Sequence, residues 1–288
     1  MCYGHTPAAL SCGTHSHTTS AAPQAWTLQL NPSKKQSACS IHAYGEQGDV
    51  GATASNVLFG DVFFCSGQSN MVFPLGLALN ASEEIAAFNG STNFRFFMQG
   101  VAAADKPQFD LPEPESCGAN VNTSCNRWLD SAQAMEVTGD EGNGGVPNNF
   151  LSSFSAICFL TVRDIDRLHT SGRVVGLVQS AVGGTRIEAW MSSEAIQRTR
   201  FAKSVPAGTE NNRQSVLYNA MVAPWSRYAV RAAIWYQGEA KQAARTRYTW
   251  PRMLACSYPL SLTHPQTART RRYRAWTRRS TTPIFCRL

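Results

Sequence analysis

The stretch Asn56-Val57-Leu58-Phe59-Gly60-Asp61-Val62-Phe63-Phe64-Cys65 runs straight into Ser66-Gly67-Gln68-Ser69-Asn70-Met71. A short, nearly continuous apolar run of this kind is the pattern of a strand covered on both faces, as in a parallel sheet flanked by helices. The polar, glycine-containing segment after it is where such a strand would leave the sheet. The same arrangement recurs twice. Val174-Val175-Gly176-Leu177-Val178-Gln179 leads to Ser180-Ala181-Val182-Gly183-Gly184-Thr185, and Ala229-Val230-Arg231-Ala232-Ala233-Ile234-Trp235 leads to Tyr236-Gln237-Gly238-Glu239. Between these runs, Phe154, Ile157, Cys158, Val162, Ile165 and Leu168 recur at helical spacing, with Arg163, Asp164, Asp166 and Arg167 on the other side. That spacing predicts an amphipathic helix stopping near Gly172. Residues 94–98 read as a further short strand and 217–222 as helical. Strands alternating with helices predict an α/β fold, a three-layer α/β/α arrangement around a parallel sheet.

The chain has 288 residues, 43% of them hydrophobic and only 16% charged. This is globular chemistry, with enough chain for one large domain or two small ones. No apolar run reaches the roughly 18 residues of a membrane-spanning helix. The net charge of +7 hides an uneven distribution: residues 240–288 hold 11 of the 26 Lys and Arg and no acid, so residues 1–239 carry a net −4. Trp, Tyr and Phe are scattered among those arginines, and neither an aromatic platform nor a helix-turn-helix accompanies Arg269-Thr270-Arg271-Arg272. The basic end is therefore read as an irregular tail over 256–288, and no nucleic-acid partner is expected. Residues 1–54, rich in Ser, Thr, Ala, His and Gly, read as a poorly ordered lead or the remnant of a small β module, with 25–30 its one strand-like stretch. The segment 104–150, rich in Pro, Gly and Asn, reads as a long surface excursion.

None of the nine cysteines forms a CxxC pair, so a zinc knuckle is not expected. Cys117 and Cys125 bracket a short loop and stand equally well as a disulfide or as free thiols. Sequons at Asn80, Asn89 and Asn122 are about as many as chance supplies, and the N-terminus shows no signal peptide.

In open α/β sheets, ligands bind beyond the carboxyl ends of the strands. Three apolar runs here end in glycine-containing polar tips. A serine at such a tip, at the start of a helix, has what an acyl-transfer nucleophile needs: exposure and nearby N–H donors for a tetrahedral oxyanion. Each tip alone is weak, because Gly-x-Ser is common and a Gly-Gly pair is usually a turn. The three in order are more specific.

Those three tips, with Ile187-Glu188-Ala189-Trp190 after the second and Trp235 leading the third, resemble the sialate O-acetylesterases of the SGNH (GDSL-type) hydrolase superfamily. Residues 55–62, 154–158 and 217–224 are also similar, and the resemblance covers about 55–255. It implies a flavodoxin-like SGNH hydrolase domain over 55–255, incomplete at its C-terminal end, that removes acetyl esters from sugars. Ser69 would be the nucleophile, and Gly183, Gly184 and the Gln237 amide would join the Ser69 N–H in the oxyanion hole. Asn70 and Glu239 would brace the loops rather than react. No cofactor or metal is implied. The partner would be an O-acetylated sugar or sialic acid, and the setting secreted or lysosomal. Ser66 is the rival nucleophile, set aside because the family motif places the reactive hydroxyl immediately before Asn70.

A serine nucleophile requires a base. The resemblance implies an Asp-x-x-His pair far beyond Glu239, but no Asp or Glu follows that residue. The only later histidine, His264, follows Ser261 where the motif would have Asp. The alternative function is therefore a catalytically impaired or truncated homologue that binds carbohydrate.

Overall fold

A computed structural model describes residues 8–10, 38–43, 53–88, 93–117, 125–136, 148–169, 173–199, 210–239 and 284–286. The 25–30 stretch and His264 lie outside them. The chain divides into two compact units. The first comprises Met1–Asp61 with Ser171–Val175 and the second Val62–Thr170 with Gly176–Leu288. In the first unit, β1 (Ala8–Leu10), β2 (Cys39–Ala43) and β3 (Thr53–Val57) form an antiparallel sheet in that order.

The second unit is built on six strands. These are β4 (Asp61–Gly67), β5 (Phe94–Met98), β6 (Trp128–Asp130), β7 (Val175–Ala181), β8 (Ala232–Tyr236) and β9 (Ile284–Cys286), ordered β6-β5-β7-β4-β8-β9. Four of the apolar runs supply β4, β5, β7 and β8, although the first run is divided: Asn56 and Val57 end β3 and β4 begins only at Asp61. Every residue of β7 is buried, as a strand covered on both faces requires. β4 and β8 pair in parallel, while β6 and β9 pair antiparallel on the two edges. The sheet is mixed where the sequence predicted a parallel one. The edge strands have only three residues each, and so short a segment carries no periodicity to read. β9 also arises within the stretch expected to be an irregular tail.

Among the described residues, six α-helices accompany this sheet. They are α1 (Ser69–Val72), α2 (Ala81–Phe88), α3 (Ser131–Met135), α4 (Phe150–Ser153), α5 (Ala156–His169) and α6 (Ser193–Gln197). The excursion at 104–150 is more structured than its composition suggests. Asp130 with Gln133 closes a capping box on α3, and Asn149 with Ser152 closes one on α4. Each box satisfies helix-end N–H groups that would otherwise lack partners. Residues 217–222, read as helical, contain a five-residue π-helix, Tyr218–Val222.

The longest helix, α5, is capped by Ser155, whose hydroxyl accepts from the Cys158 N–H at 3.2 Å. It buries Cys158 and Val162 as the spacing predicts, and also Phe159, which the spacing did not single out. Two assignments are reversed: Arg163 is buried at 7% exposure, and Leu168 is 80% exposed. Arg163 tolerates burial because its guanidinium pairs with Glu84 on α2 and with Asp164, and lies 5.6 Å over the Phe159 ring. Phe88, Phe94 and Phe96 pack around that ring at centroid distances down to 5.2 Å, and Phe154 packs edge to face on Phe96 at 5.4 Å.

Two disulfides occur among the described residues. Cys117 and Cys125 are bonded, and Cys65 on β4 is bonded to Cys158 on α5, a link the sequence did not reveal. The second closes a separation of 93 residues between two fully buried side chains. Replacing both by alanine is expected to lower stability by about 3 kcal/mol. Urea unfolding monitored by tryptophan fluorescence checks this, and an unchanged midpoint would mean that packing alone holds β4 to α5.

Candidate active site

β4 lies between β7 and β8. The chain leaves β4 for β5 on one side and reaches β8, on the other side, only after β7. This is a topological switch point, where connections diverge and leave a crevice beyond the strand ends. Ser69 sits there, two residues past the end of β4.

The turn that presents Ser69 depends on Gly67. Its φ is +145°, and a Cβ built on it would lie 1.9 Å from the Tyr236 carbonyl oxygen. Both conformation and space therefore demand glycine. The absent side chain lets β4 and β8 stay paired to their last residues, and the Gln68 N–H then donates to Tyr236 O at 3.0 Å. On the other flank, the Val182 N–H donates to Gly67 O at 3.2 Å. The first tip is thus stitched to both of the others.

The two candidate serines separate cleanly. Ser66 has no exposed surface, and its hydroxyl has no partner among the described residues. Ser69 is exposed. It opens α1, but α1 has only four residues, so the helix dipole invoked from sequence is small. Donors come instead from unpaired backbone. The Met71 and Val72 N–H groups are taken by Gln68 O, whereas those of Ser69, Gly183 and Gly184 have no acceptor among the described residues.

Gly183 stands beside the serine: a Cβ built on it would meet Ser69 Cα and Cβ, each at 3.8 Å. Gly184 adopts φ +73° with nothing within 4 Å of its Cβ position, so conformation alone selects glycine there. Gln237 reaches the same loop, but its Nε2 donates to Thr185 O at 2.6 Å. One amide hydrogen of Gln237 is therefore committed to holding the second tip, which the sequence did not suggest. Glu239 bridges the residues on either side of Ser69: one carboxylate oxygen accepts from Gln68 Nε2 and the other from Asn70 Nδ2.

Cys65 before Ser69 is bonded to Cys158, and the segment after Ser69 is strapped to residues 154–156 by three further contacts. Leu75 N donates to Phe154 O at 2.8 Å, Ala156 N donates to Phe73 O at 2.9 Å, and the Ser155 hydroxyl meets Met71 Sδ at 3.5 Å. Asn212 was missed by sequence reasoning. Its Nδ2 donates to Gly184 O at 3.3 Å and its Oδ1 accepts from Arg186 N at 2.7 Å. No motif surrounds it, and its contacts are made 26 to 28 residues away in sequence.

Residues 153–255, which include the second and third tips, match the family of sialic acid-specific acetylesterase carbohydrate esterases. The mouse sialate O-acetylesterase is 28% identical over 246 residues, covering 74% of this chain and 41% of the mouse protein. The human sialate O-acetylesterase is 28% identical over 220 residues, with 74% and 38% covered. The chain is similar to the sialate O-acetylesterases. It spans about two fifths of the length of these curated sialate O-acetylesterases. A crystal structure of a carbohydrate acetylesterase from Xanthomonas citri superposes with a TM-score of 0.60 at 24% identity, covering 83% of this chain and 46% of that one. At that identity the likeness speaks for the fold, an α/β sheet with parallel strands flanked by helices. The sialate O-acetylesterase resemblance read from the three tips therefore holds, and the tips are neighbours in space.

Proposed function

We propose that this chain is a carbohydrate O-acetylesterase of the sialate O-acetylesterase type, with Ser69 as its nucleophile. One observation carries the reading: an exposed Ser69 hydroxyl stands beside Gly183 where the Ser69, Gly183 and Gly184 N–H groups have no acceptor among the described residues. Attack of Ser69 Oγ on an acetyl carbonyl moves negative charge onto the carbonyl oxygen, and unpaired backbone donors are suited to receive it. Gln237 can offer its second amide hydrogen to the same oxyanion. Collapse of the tetrahedral intermediate expels the sugar hydroxyl, and water then releases acetate from the acyl-enzyme. The substrate class follows the relatives: O-acetylated sugars, with O-acetylated sialic acid first. The disulfides Cys65–Cys158 and Cys117–Cys125 suit an oxidising setting, such as a secreted or lysosomal one. Among the described residues no helix is long and apolar enough to cross a membrane.

Asn70 and Glu239 brace the turn. Glu239→Gln puts an amide NH2 against one of two amide donors, so either Gln68 or Asn70 loses its acceptor. Turnover is expected to fall about tenfold with little change in KM, as for a slightly misplaced nucleophile. Steady-state kinetics on an aryl acetate checks this.

His42, the one histidine whose ring is described, lies 3.1 Å from the Thr53 hydroxyl, and His264 lies outside the described residues. Residues 240–288 hold no Asp or Glu and therefore no Asp-x-x-His within that stretch, which favours a second reading, carbohydrate binding without turnover. Acetate release from O-acetylated sialic acid and from acetylated plant polysaccharide separates the two. Release by wild type but not by Ser69→Ala supports the esterase. Binding without release selects the second reading, and neither release nor binding overturns both.

A further inference from the structure

Ester hydrolysis needs a donor beside Ser69, but it does not dictate what holds that donor still. The Gly183 N–H shares a peptide unit with the Val182 carbonyl. A trans peptide is planar, so its N–H and C=O point in opposite directions and fixing one aims the other. The Val182 carbonyl accepts from the Thr185 hydroxyl at 2.7 Å. That hydroxyl in turn accepts from Trp190 Nε1 at 2.9 Å. The indole can only donate, so the Thr185 proton is committed to Val182 O and the relay has one direction. Thr185 is 2% exposed and Trp190 4%, so water does not compete. Trp190 is itself immobilised, edge to face with Trp235 at 5.7 Å and within a cluster that includes Ala189, Leu217 and Met221.

Resting on the esterase reading, we infer that Thr185 and Trp190 are positioning residues: their relay through the Val182 carbonyl aims the Gly183 N–H at the oxyanion that forms next to Ser69. Neither residue touches the substrate. Both act by holding one peptide plane, and small misplacements of a catalytic group are costly.

The test uses the full chain with Thr185→Val, which removes the hydroxyl at nearly constant shape, Thr185→Ser, which restores it, and Trp190→Phe, which keeps a ring but not its N–H. Two readouts are taken: kcat and KM on an aryl acetate, and the Gly183 amide resonance in protein labelled with 15N-glycine. Thr185→Val is expected to lower kcat by about tenfold to a hundredfold with KM within about threefold. Thr185→Ser should recover to within about threefold of wild type, and Trp190→Phe should lose about tenfold. The Gly183 resonance should move or broaden in the Val and Phe variants and return in the Ser variant. Equal turnover in the Val and Ser variants, or an unmoved Gly183 resonance, overturns the inference. If wild type lacks turnover while the resonance still follows the hydroxyl, the esterase reading fails and the aiming relay stands.

Discussion

Ser69→Ala is expected to lower kcat/KM for acetyl-ester hydrolysis by at least about a thousandfold, because every covalent step passes through that oxygen. The fold should be indifferent to the change. Ser69 is exposed, and substitutions at exposed positions are usually worth about 0.5 kcal/mol or less. An organophosphonate should label Ser69 in wild type, and peptide mapping should find Ser66 unlabelled. Burial is the reason: Ser66 has no exposed surface, so a reagent that needs in-line access to an oxygen cannot reach it. Label on Ser66, or undiminished hydrolysis by Ser69→Ala, would remove the nucleophile from its proposed role.

Gly67→Ala is expected to be the most damaging single methyl group in the molecule. The new carbon would lie 1.9 Å from the Tyr236 carbonyl oxygen at a φ of +145° that side chains resist. Neither a rotamer change nor the tip of a flexible neighbour can relieve an overlap with backbone. β4 and β8 would have to separate at their ends, breaking the Gln68 N–H bond to Tyr236 and shifting the Glu239 bridge over Gln68 and Asn70. A loss of about 4 kcal/mol or more is expected, enough to leave a domain of ordinary stability marginal. Urea unfolding measures it. A variant that kept both its midpoint and its activity would show that the turn can relax in a way the strand pairing does not suggest.

Much of the fold was legible from local pattern. Residues 94–98 are both the expected strand and β5, and the runs before Gly67, Val182 and Gln237 became β4, β7 and β8, because a covered strand must be apolar along its length. The edges were not legible, since β6 and β9 have three residues each and owe their pairing to a neighbour. Arg163 and Leu168 were assigned to the wrong sides of α5 because spacing reports polarity, whereas burial depended on whether Glu84 lay within reach of the guanidinium. The Cys65–Cys158 bond was invisible for a related reason: pairing is a matter of distance between residues 93 apart.

The candidate site divides along the same line. Residue types at the strand ends marked three polar tips, and the resemblance those tips carry implied Ser69, Gly183, Gly184 and Gln237 as a group. What each one faces was decided in three dimensions. Burial separated Ser66 from Ser69, strand pairing set Gly67 against the Tyr236 carbonyl, and packing put Thr185 on the Val182 carbonyl, Trp190 on the Thr185 hydroxyl and Asn212 on the Gly184 carbonyl. Sequence alone determined the inner strands β4, β5, β7 and β8, the helix α5 and the polar turns after three of those strands, because these follow from neighbours along the chain. Access to an oxygen, the partner of a cysteine and the aim of a peptide plane depend on atoms that only the tertiary structure brings within a few ångströms of one another.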